Sequence, residues 1–567
     1  MINMTKFNFR RGIPRSAWTI FALFTAAAGL YGWYLWNPVV FDDISFFDGS
    51  VHDLYLSRFI PFSPRWLPYA TFEWTRVVLG LDLIWFRLGN LAIHLASTIT
   101  LYFFFRRLLP VVHPGDIGTV KAGKEFSHSS QALICALLFA MHPVATYAVA
   151  YLVQRTTLMA TFFMLLMAFA FLEGLLRRNQ LLLLASALAY LLAATCKEHA
   201  IMAPAVMAAL LLLVARPSKK LIFAVLPTFL LYGAVAVYVF MQIRSGHIVG
   251  QSYEPEAADL LSRFHARYPQ FDPALAYPLS ILTQATLFFK YLLLWALPNP
   301  AWMSVDMRES FALTLGSLYY LAGFMAFLLY GGAATWLLLS RGRFALLGFA
   351  MISPWLMFAT EFAAVRIQEP FVLYRSYLWM PFAFLILPVI LQWSRAKPAA
   401  LVLAVVAVLY VPCTLDRLQS FSHGLLLWDD AARLIGPEDN RPGTERIFHN
   451  RGVMLARVKL YDQAIQDYDR AIRTNPDYAY FYNDRAAAWL ESGHPETALA
   501  DYNRAIQMNQ TYSRPFYGRG RTEEALGNRE AAVRDYTKAC LIGAPVACSR
   551  LVALTGAQTV PKVSKSD

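Results

Sequence analysis

Tyr461-Asp-Gln-Ala464-Ile-Gln-Asp467-Tyr468-Asp-Arg-Ala471-Ile472 returns as Pro495-Glu-Thr-Ala498-Leu-Ala-Asp501-Tyr502-Asn-Arg-Ala505-Ile506. It returns once more, at the same spacing, as Arg529-Glu-Ala-Ala532-Val-Arg-Asp535-Tyr536-Thr-Lys-Ala539-Cys540. The alanines, the aspartates and the tyrosines keep step across all three copies. Small residues at fixed places in an amphipathic helix let a second helix approach closely. A period of this length is one helix–turn–helix unit, too small to bury its own apolar face and therefore stacked in series.

A helical period of about 34 residues is the tetratricopeptide (TPR) signature. It predicts a TPR α-solenoid of about three repeats over residues 441–556. A linker is expected over 416–440 and a disordered tail over 557–567.

Upstream the composition is different. Of 567 residues 57% are hydrophobic and 15% are charged, against roughly 25% charged in soluble domains. The apolar residues fall into twelve runs, near 17–40, 83–105, 131–150, 156–176, 181–196, 199–215, 221–243, 277–298, 311–339, 344–363, 376–393 and 399–414. A run of about 20 residues is long enough to span a bilayer. The region 1–415 therefore reads as an all-α polytopic membrane domain. The net charge of +13 does not point to nucleic acid, because Lys and Arg cluster in short loops between the runs. Lys6, Arg10, Arg11 and Arg15 place the N-terminus in the cytoplasm. The first run lacks a small-residue cleavage site and is expected to remain as a signal anchor.

The run 277–298 decides the topology. It holds Gln284 and Lys290 and is flanked by Pro278 and Pro298. Read as interfacial, it leaves eleven spans, puts Arg341, Arg343, Arg395 and Lys397 inside, and puts the C-terminus outside. The outer loops are then 38–82 and 244–310.

On that topology the unusual charges gather on the outer face. Asp42 and Asp43 follow the first run, and the same loop carries His52, Arg58, Arg65 and Arg76. His142 to Arg155, Lys197-Glu198-His199, and the stretch with Arg366, Glu369 and Arg375 also lie outside. Cations of this kind hold a phosphate, arginine by its fork, and a carboxylate takes the proton from an attacking hydroxyl. Asp43 is the candidate base and Asp42 its companion for acceptor binding. Arg155, Lys197 and Arg375 are candidates for a phosphate, with His142, Glu198, Glu369, Arg65 and His94 in support. Each also has a structural reading: an aspartate caps a helix, Lys197 and Glu198 pair with each other, and Arg155 and Arg375 anchor to headgroups. No His/Cys cluster has zinc spacing; the adjacent aspartates leave a divalent ion open.

Cys135, Cys196 and Cys413 lie in or beside apolar runs, as packing cysteines do. Cys540 and Cys548 flank a helix–turn–helix junction and resemble the cysteine-bridged repeats of secreted Sel1-like proteins. That resemblance implies a disulfide, which requires an oxidising compartment; two reduced buried thiols are the alternative.

The order of these pieces resembles the transmembrane-and-TPR-containing O-mannosyltransferases and their bacterial relatives, within the wider GT-C glycosyltransferases. The matching stretches are Phe41-Asp42-Asp43, Arg87-Leu-Gly-Asn90-Leu-Ala-Ile-His94, His142-Pro-Val-Ala-Thr146 with Gln154-Arg155, Lys197-Glu198, and Arg375-Ser-Tyr-Leu with Pro381, followed by the TPR array. The resemblance implies a GT-C-like bundle in a bacterial inner membrane, with the TPR domain in the periplasm. It implies transfer of a sugar from a polyprenyl-phosphate donor to a hydroxyl of an exported protein, with Asp43 as base and no required cofactor. A glycolipid or polysaccharide acceptor is the near alternative. A non-enzymatic membrane scaffold for envelope or pilus assembly is the distant one, and a lipid-linked sugar transporter the third.

Overall fold

The computed structural model describes residues 15–41, 43–47, 64–112, 127–245, 257–340, 342–367, 369–393, 396–436, 441 and 443–556. Among these every regular element is helical. The chain divides into two compact units, Met1–Val305 with Ser310–His423, and Asp306–Glu309 with Gly424–Asp567. Asp42 and the expected tail 557–567 lie outside the described residues, as do His52 and Arg58.

Among the described residues, eight helices of the first unit are long and apolar enough to cross a membrane, from Trp18–Trp36 to Leu401–Ser420. Two further pairs, His128–Ala140 with Pro143–Val149 and Leu373–Trp379 with Pro381–Leu391, are bent by 49° and 57° and raise the number to ten if each pair is one span. Each bend falls just before a proline, Pro143 or Pro381, which has no backbone N–H to continue the helical ladder. Gln180–Cys196 and Glu198–Val214 are shorter apolar helices. The expected eleven spans are therefore not what length and composition give.

The shortfall falls at 181–196 and 199–215, the two shorter helices, whereas the run 277–298 departs from expectation in the other direction. That run is expected to be interfacial, yet all but its last two residues lie in Pro273–Ala296, one of the eight long apolar helices. Its polar residues are accommodated sideways. Gln284 Nε2 donates to the Pro370 carbonyl at 2.7 Å, and the Lys290 ammonium stands 5.3 Å from the centre of the Phe371 ring. Pro278 sits in the first turn, where helix N–H groups lack partners in any case. Much of the loop expected over 244–310 is likewise helical, including Ala257–Arg267, whose Phe264 packs with Phe271, Leu279 and Phe311.

A buried polar knot ties the chain ahead of the aspartate pair to the bundle. Arg87 Nη2 donates to the carbonyls of Asn37 and Pro38, both at 2.7 Å, and its Nη1 to Ala150 at 3.3 Å. The Tyr34 hydroxyl bonds the carbonyls of Arg87 and Val149. Asn90 Nδ2 reaches Val149 and Leu152. These side chains thus bond buried carbonyls of Val149, Ala150 and Leu152, where one short helical turn gives way to the next.

In the second unit the helices pair as Thr444–Arg457 with Tyr461–Thr474, Ala479–Glu491 with Pro495–Met508, and Ser513–Ala525 with Arg529–Leu541, followed by Pro545–Thr555. The three in-phase alanine pairs are buried, from Ala464 and Ala471 to Ala532 and Ala539. A Cβ on Gly452 would stand 2.7 Å from the Tyr468 ring, and one on Gly520 2.8 Å from Tyr536, so the in-phase tyrosines need that close approach. The stretch 416–440, expected as a linker, is largely helical where it is described. The helix ending the first unit runs on to Ser420, and Gly424–Arg433 forms a helix that buries Leu427, Trp428, Ala431 and Ala432.

Candidate functional site

Asp43 opens a short helix, Asp43–Phe47, directly after Phe41, which holds a left-handed backbone at φ 57°. Its carboxylate is fully buried. Oδ2 accepts the Leu152 N–H at 3.0 Å and Oδ1 the Val153 N–H at 2.9 Å. Two backbone N–H donors fix the orientation of this carboxylate at the turn. The Arg87 knot fixes the strand of chain that delivers Asp43 to this turn.

A second cluster gathers residues far apart in sequence. Lys197 ends the Gln180–Cys196 helix and Glu198 begins the next turn. Arg65, itself in a left-handed conformation at φ 65°, forks Glu198 with Nε at 3.1 Å and Nη2 at 2.5 Å. Burial opposes ionisation of Glu198, yet Arg65 and His199 hold its carboxyl well below the usual range. His199 stands between two carboxylates, Nδ1 3.5 Å from Glu198 and Nε2 3.2 Å from Glu361. Glu361 is fully buried and shared by two arginines, Arg375 Nη1 at 2.9 Å and Arg366 Nε at 3.1 Å. Glu369 is half-buried and acts electrostatically on Arg375.

Lys197 is the odd member. It is 7% exposed, its ammonium faces the Tyr374 ring at 5.9 Å, and no described carboxylate or carbonyl accepts from it. Burial pushes the ammonium down to about 7; Arg65 acts in the same direction and Glu198 opposes. Among the described residues the cluster joins Arg65, Lys197, Arg366 and Arg375 to Glu198, Glu361 and Glu369. A buried ammonium with no described acceptor is costly, and an anion beside Lys197 would relieve it.

The other candidates sit elsewhere. Arg155 spends its donors inside the fold, Nε on Asn90 Oδ1 at 2.8 Å, Nη1 on Thr71 at 3.2 Å and Nη2 on the Phe86 carbonyl at 2.7 Å, with the guanidinium 3.8 Å from the Phe72 ring centre. A Cβ at Gly89 would stand 2.7 Å from that guanidinium, which explains the glycine in Arg87-Leu-Gly-Asn90. His142 stacks on Trp295 at 4.3 Å, donates to its carbonyl at 2.9 Å and accepts the Val144 N–H. His94 bonds the Tyr377 hydroxyl at 2.7 Å and the Ala140 carbonyl at 3.0 Å. These three are tied to the fold, whereas Arg65, Lys197, Glu198 and Arg375 are brought together.

Glu361 escaped the sequence reading. Its one signal was a lone carboxylate at the end of an apolar run. The arginines of the repeat unit also escaped, although they keep the period of the alanines and tyrosines. Arg451, Arg485 and Arg519 each fork the in-phase aspartate, Asp467, Asp501 or Asp535, with both contacts at 2.7–2.8 Å. Cys540 and Cys548 form a disulfide, Cα to Cα 4.8 Å. Among the described residues no group of three or more His, Cys, Asp or Glu is placed to hold a metal ion.

An apolar cavity of about 900 Å³ lies in the first unit, lined by Leu138, Trp295, Tyr330, Met351, Phe384 and Tyr410 among others. Trp295 Nε1 donates to Ser376 Oγ at 2.8 Å, which joins the cavity wall to the residue after Arg375.

The tetratricopeptide repeat family profile matches residues 445–478, the first helix pair of the array. Among solved structures, the Arabidopsis OM64 TPR domain is 23% identical, covering 20% of this chain and 95% of that one with a TM-score of 0.19. The second TPR domain of the human RPAP3 protein, determined in complex with the HSP70 peptide SGPTIEEVD, is 27% identical over 19% of this chain and 97% of that one, TM-score 0.19. The MamA protein is 18% identical over 23% of this chain and 72% of that one, TM-score 0.21. No curated protein matches the chain. The chain is an all-helical protein that carries a tetratricopeptide repeat near its C-terminus.

Proposed function

We propose that this protein is a membrane glycosyltransferase that takes a sugar from a polyprenyl-phosphate donor and attaches it to a hydroxyl of an exported protein. The observation that carries this reading is Lys197, a buried cation with no described acceptor in a cluster already rich in arginine. A phosphate is the anion such a group suits. The donor phosphate would sit on Lys197 and Arg375, and the hydrocarbon chain would occupy the apolar cavity beyond Trp295. The acceptor hydroxyl attacks the anomeric carbon as the bond from that carbon to the phosphate oxygen breaks. Its proton passes to Asp43, and the polyprenyl phosphate leaves with the bonding pair.

The long apolar helices support the membrane reading; three of them expose Phe223, Leu230, Trp336 and Val402, residues that bury favourably in hydrocarbon. The Cys540–Cys548 disulfide supports an oxidising, periplasmic side for the repeat unit. TPR repeats also suit a protein-interaction scaffold without catalysis, and that is the second reading.

The test is binding of polyprenyl phosphate to the purified full chain in nanodiscs. Lys197→Gln is expected to weaken it at least tenfold and Lys197→Arg to restore most of it. Equal binding by wild type and Lys197→Gln would remove the phosphate site and leave the scaffold.

A further inference from the structure

The Arg155–Arg177 helix turns back into the Gln180–Cys196 helix within two residues. Arg178 takes a left-handed backbone at φ 51°, and Asn179 Oδ1 caps the second helix by accepting the Leu181 and Leu182 N–H groups at 2.9 and 3.3 Å. The helices meet closely at Gly174, where a Cβ would stand 2.9 Å from Leu183. Along this hairpin runs a groove of about 360 Å³. Leu166, Phe169 and Ala170 line it from the first helix, and Leu182, Ala185 and Ala189 from the second. Spacings of three and four residues put each set on one helical face.

Glu173 and Arg177 close the same face at the turn and also line the groove. Glu173 is only 5% exposed, yet it holds two arginines from two helices. Its Oε2 lies 2.5 Å from Arg177 Nε, and its Oε1 2.5 Å from Arg107 Nε on the Leu83–Val112 helix. Each guanidinium thus gives one edge to the carboxylate, and no described carboxylate takes its Nη groups. Both arginine side chains are exposed. Their neighbours Arg106 and Arg178 are exposed as well and pair with no described carboxylate.

The length of the groove says what fits it. From Leu166 to Arg177 the helix rises about 16 Å. Half the hydrocarbon thickness of a bilayer is about 15 Å. The groove is therefore one leaflet deep, apolar along its length and cationic at one end. A free anion would meet the guanidiniums and leave the groove empty. A neutral lipid would fill the groove and leave the Nη groups without an anion.

We propose that this groove seats one acyl chain of an anionic phospholipid, with the lipid phosphate on the Nη groups of Arg107 and Arg177, which Glu173 holds side by side. On the expected topology these arginines face the cytoplasm, the side on which a membrane surface is negative. The proposal rests on the membrane reading and is independent of sugar transfer.

The probe is phosphatidylglycerol, titrated into the purified full chain in neutral detergent and read by native mass spectrometry. It is expected to bind at least fivefold tighter than phosphatidylcholine of the same chain length. Arg107→Gln combined with Arg177→Gln is expected to abolish that preference, and Arg177→Lys to keep part of it. Ala185→Phe fills the groove with the arginines in place and is expected to weaken binding at least fivefold. Arg216→Gln, at an exposed arginine of another loop, is expected to change binding less than twofold. Circular-dichroism melts report whether each variant folds. The proposal is overturned if the two lipids bind alike, if the double variant or Ala185→Phe stays within twofold of wild type, or if Arg216→Gln weakens binding as much as the double variant. Full displacement of the lipid by inorganic phosphate would also overturn it, by showing that the groove adds nothing. A chain that stays monodisperse in water without detergent removes the membrane reading itself. A chain that needs detergent and shows no lipid preference removes only this proposal.

Discussion

The Lys197 ammonium lies 5.9 Å from the centre of the Tyr374 ring and has no described acceptor. Its pH behaviour follows. Burial lowers its proton affinity to about 7, below the unfolded value, so without a ligand the unfolded chain binds the extra proton between about 7 and 10.5. Over that window stability rises with pH. A bound phosphate demands the charged ammonium, so its affinity is greatest below pH 7 and falls above it. Titrating phosphate-lipid affinity from pH 6 to 9 checks both the sign and the midpoint, and Lys197→Arg is expected to flatten the profile.

Arg155 separates stability from binding. Its three hydrogen bonds join the Leu83–Val112 and Arg155–Arg177 helices and the chain at Thr71. Arg155→Lys loses the fork, leaves Asn90 Oδ1 or the Phe86 carbonyl unpaired, and is expected to cost about 2–4 kcal/mol. The folded fraction should bind polyprenyl phosphate as wild type does. Lost affinity with an unchanged melting temperature would place Arg155 in the phosphate site.

The repeat unit offers a simpler check. Arg485 grips Asp501 with two nitrogens and Asp469 with a third, and these partners raise the proton affinity of a guanidinium whose burial works the other way. Arg485→Ala removes three contacts that are partly open to solvent, so screening reduces the cost to about 1–2 kcal/mol. Denaturant unfolding of the full chain, followed by protection of residues 479–508 from hydrogen exchange, measures it.

The disulfide reports on compartment. A bridge over so short a loop stabilises by about 2–3 kcal/mol on the chain-entropy account. Cys548→Ala should lower protection of the Arg529–Leu541 and Pro545–Thr555 helices by that amount. Non-reducing mass spectrometry of protein from its own host should find Cys540 and Cys548 joined. On the expectation that the N-terminus is inside, a periplasmic repeat unit needs an odd number of crossings. Reporter fusions after each of the twelve apolar runs should therefore find an odd number of runs that do not cross. A free thiol pair together with a cytoplasmic C-terminal reporter would reverse the topology.

What was legible in the sequence was what repeats or what has a length. The TPR pairs could be read because Ala464, Tyr468 and Ala471 recur in phase, and the long apolar helices because hydrocarbon thickness sets a length. The fate of 277–298 was not legible. Gln284 and Lys290 looked costly until Pro370 and Phe371, far along the chain, were seen beside them. The candidate site was half legible for the same reason. Lys197-Glu198 and Arg375 stood out as charges beside apolar runs, but nothing local said that Arg65 would meet Glu198 or that Glu361 would join Arg366 to Arg375. Asp43 was visible as a residue; its grip on the Leu152 and Val153 amides depends on the Arg87 knot, which only the fold assembles. Arg155 looked like a phosphate ligand because its partners Asn90 and Thr71 come from other parts of the chain.

Sugar transfer with Asp43 as base is the central claim. The most direct test compares the exported glycoproteome of the native host carrying wild type or Asp43→Asn, with equal amounts of each protein in the membrane. The account predicts that Asp43→Asn removes one defined sugar mass from one or a few exported proteins. Identical glycans on all exported proteins, lipids and polysaccharides would contradict it and leave the chain as a membrane-anchored TPR scaffold.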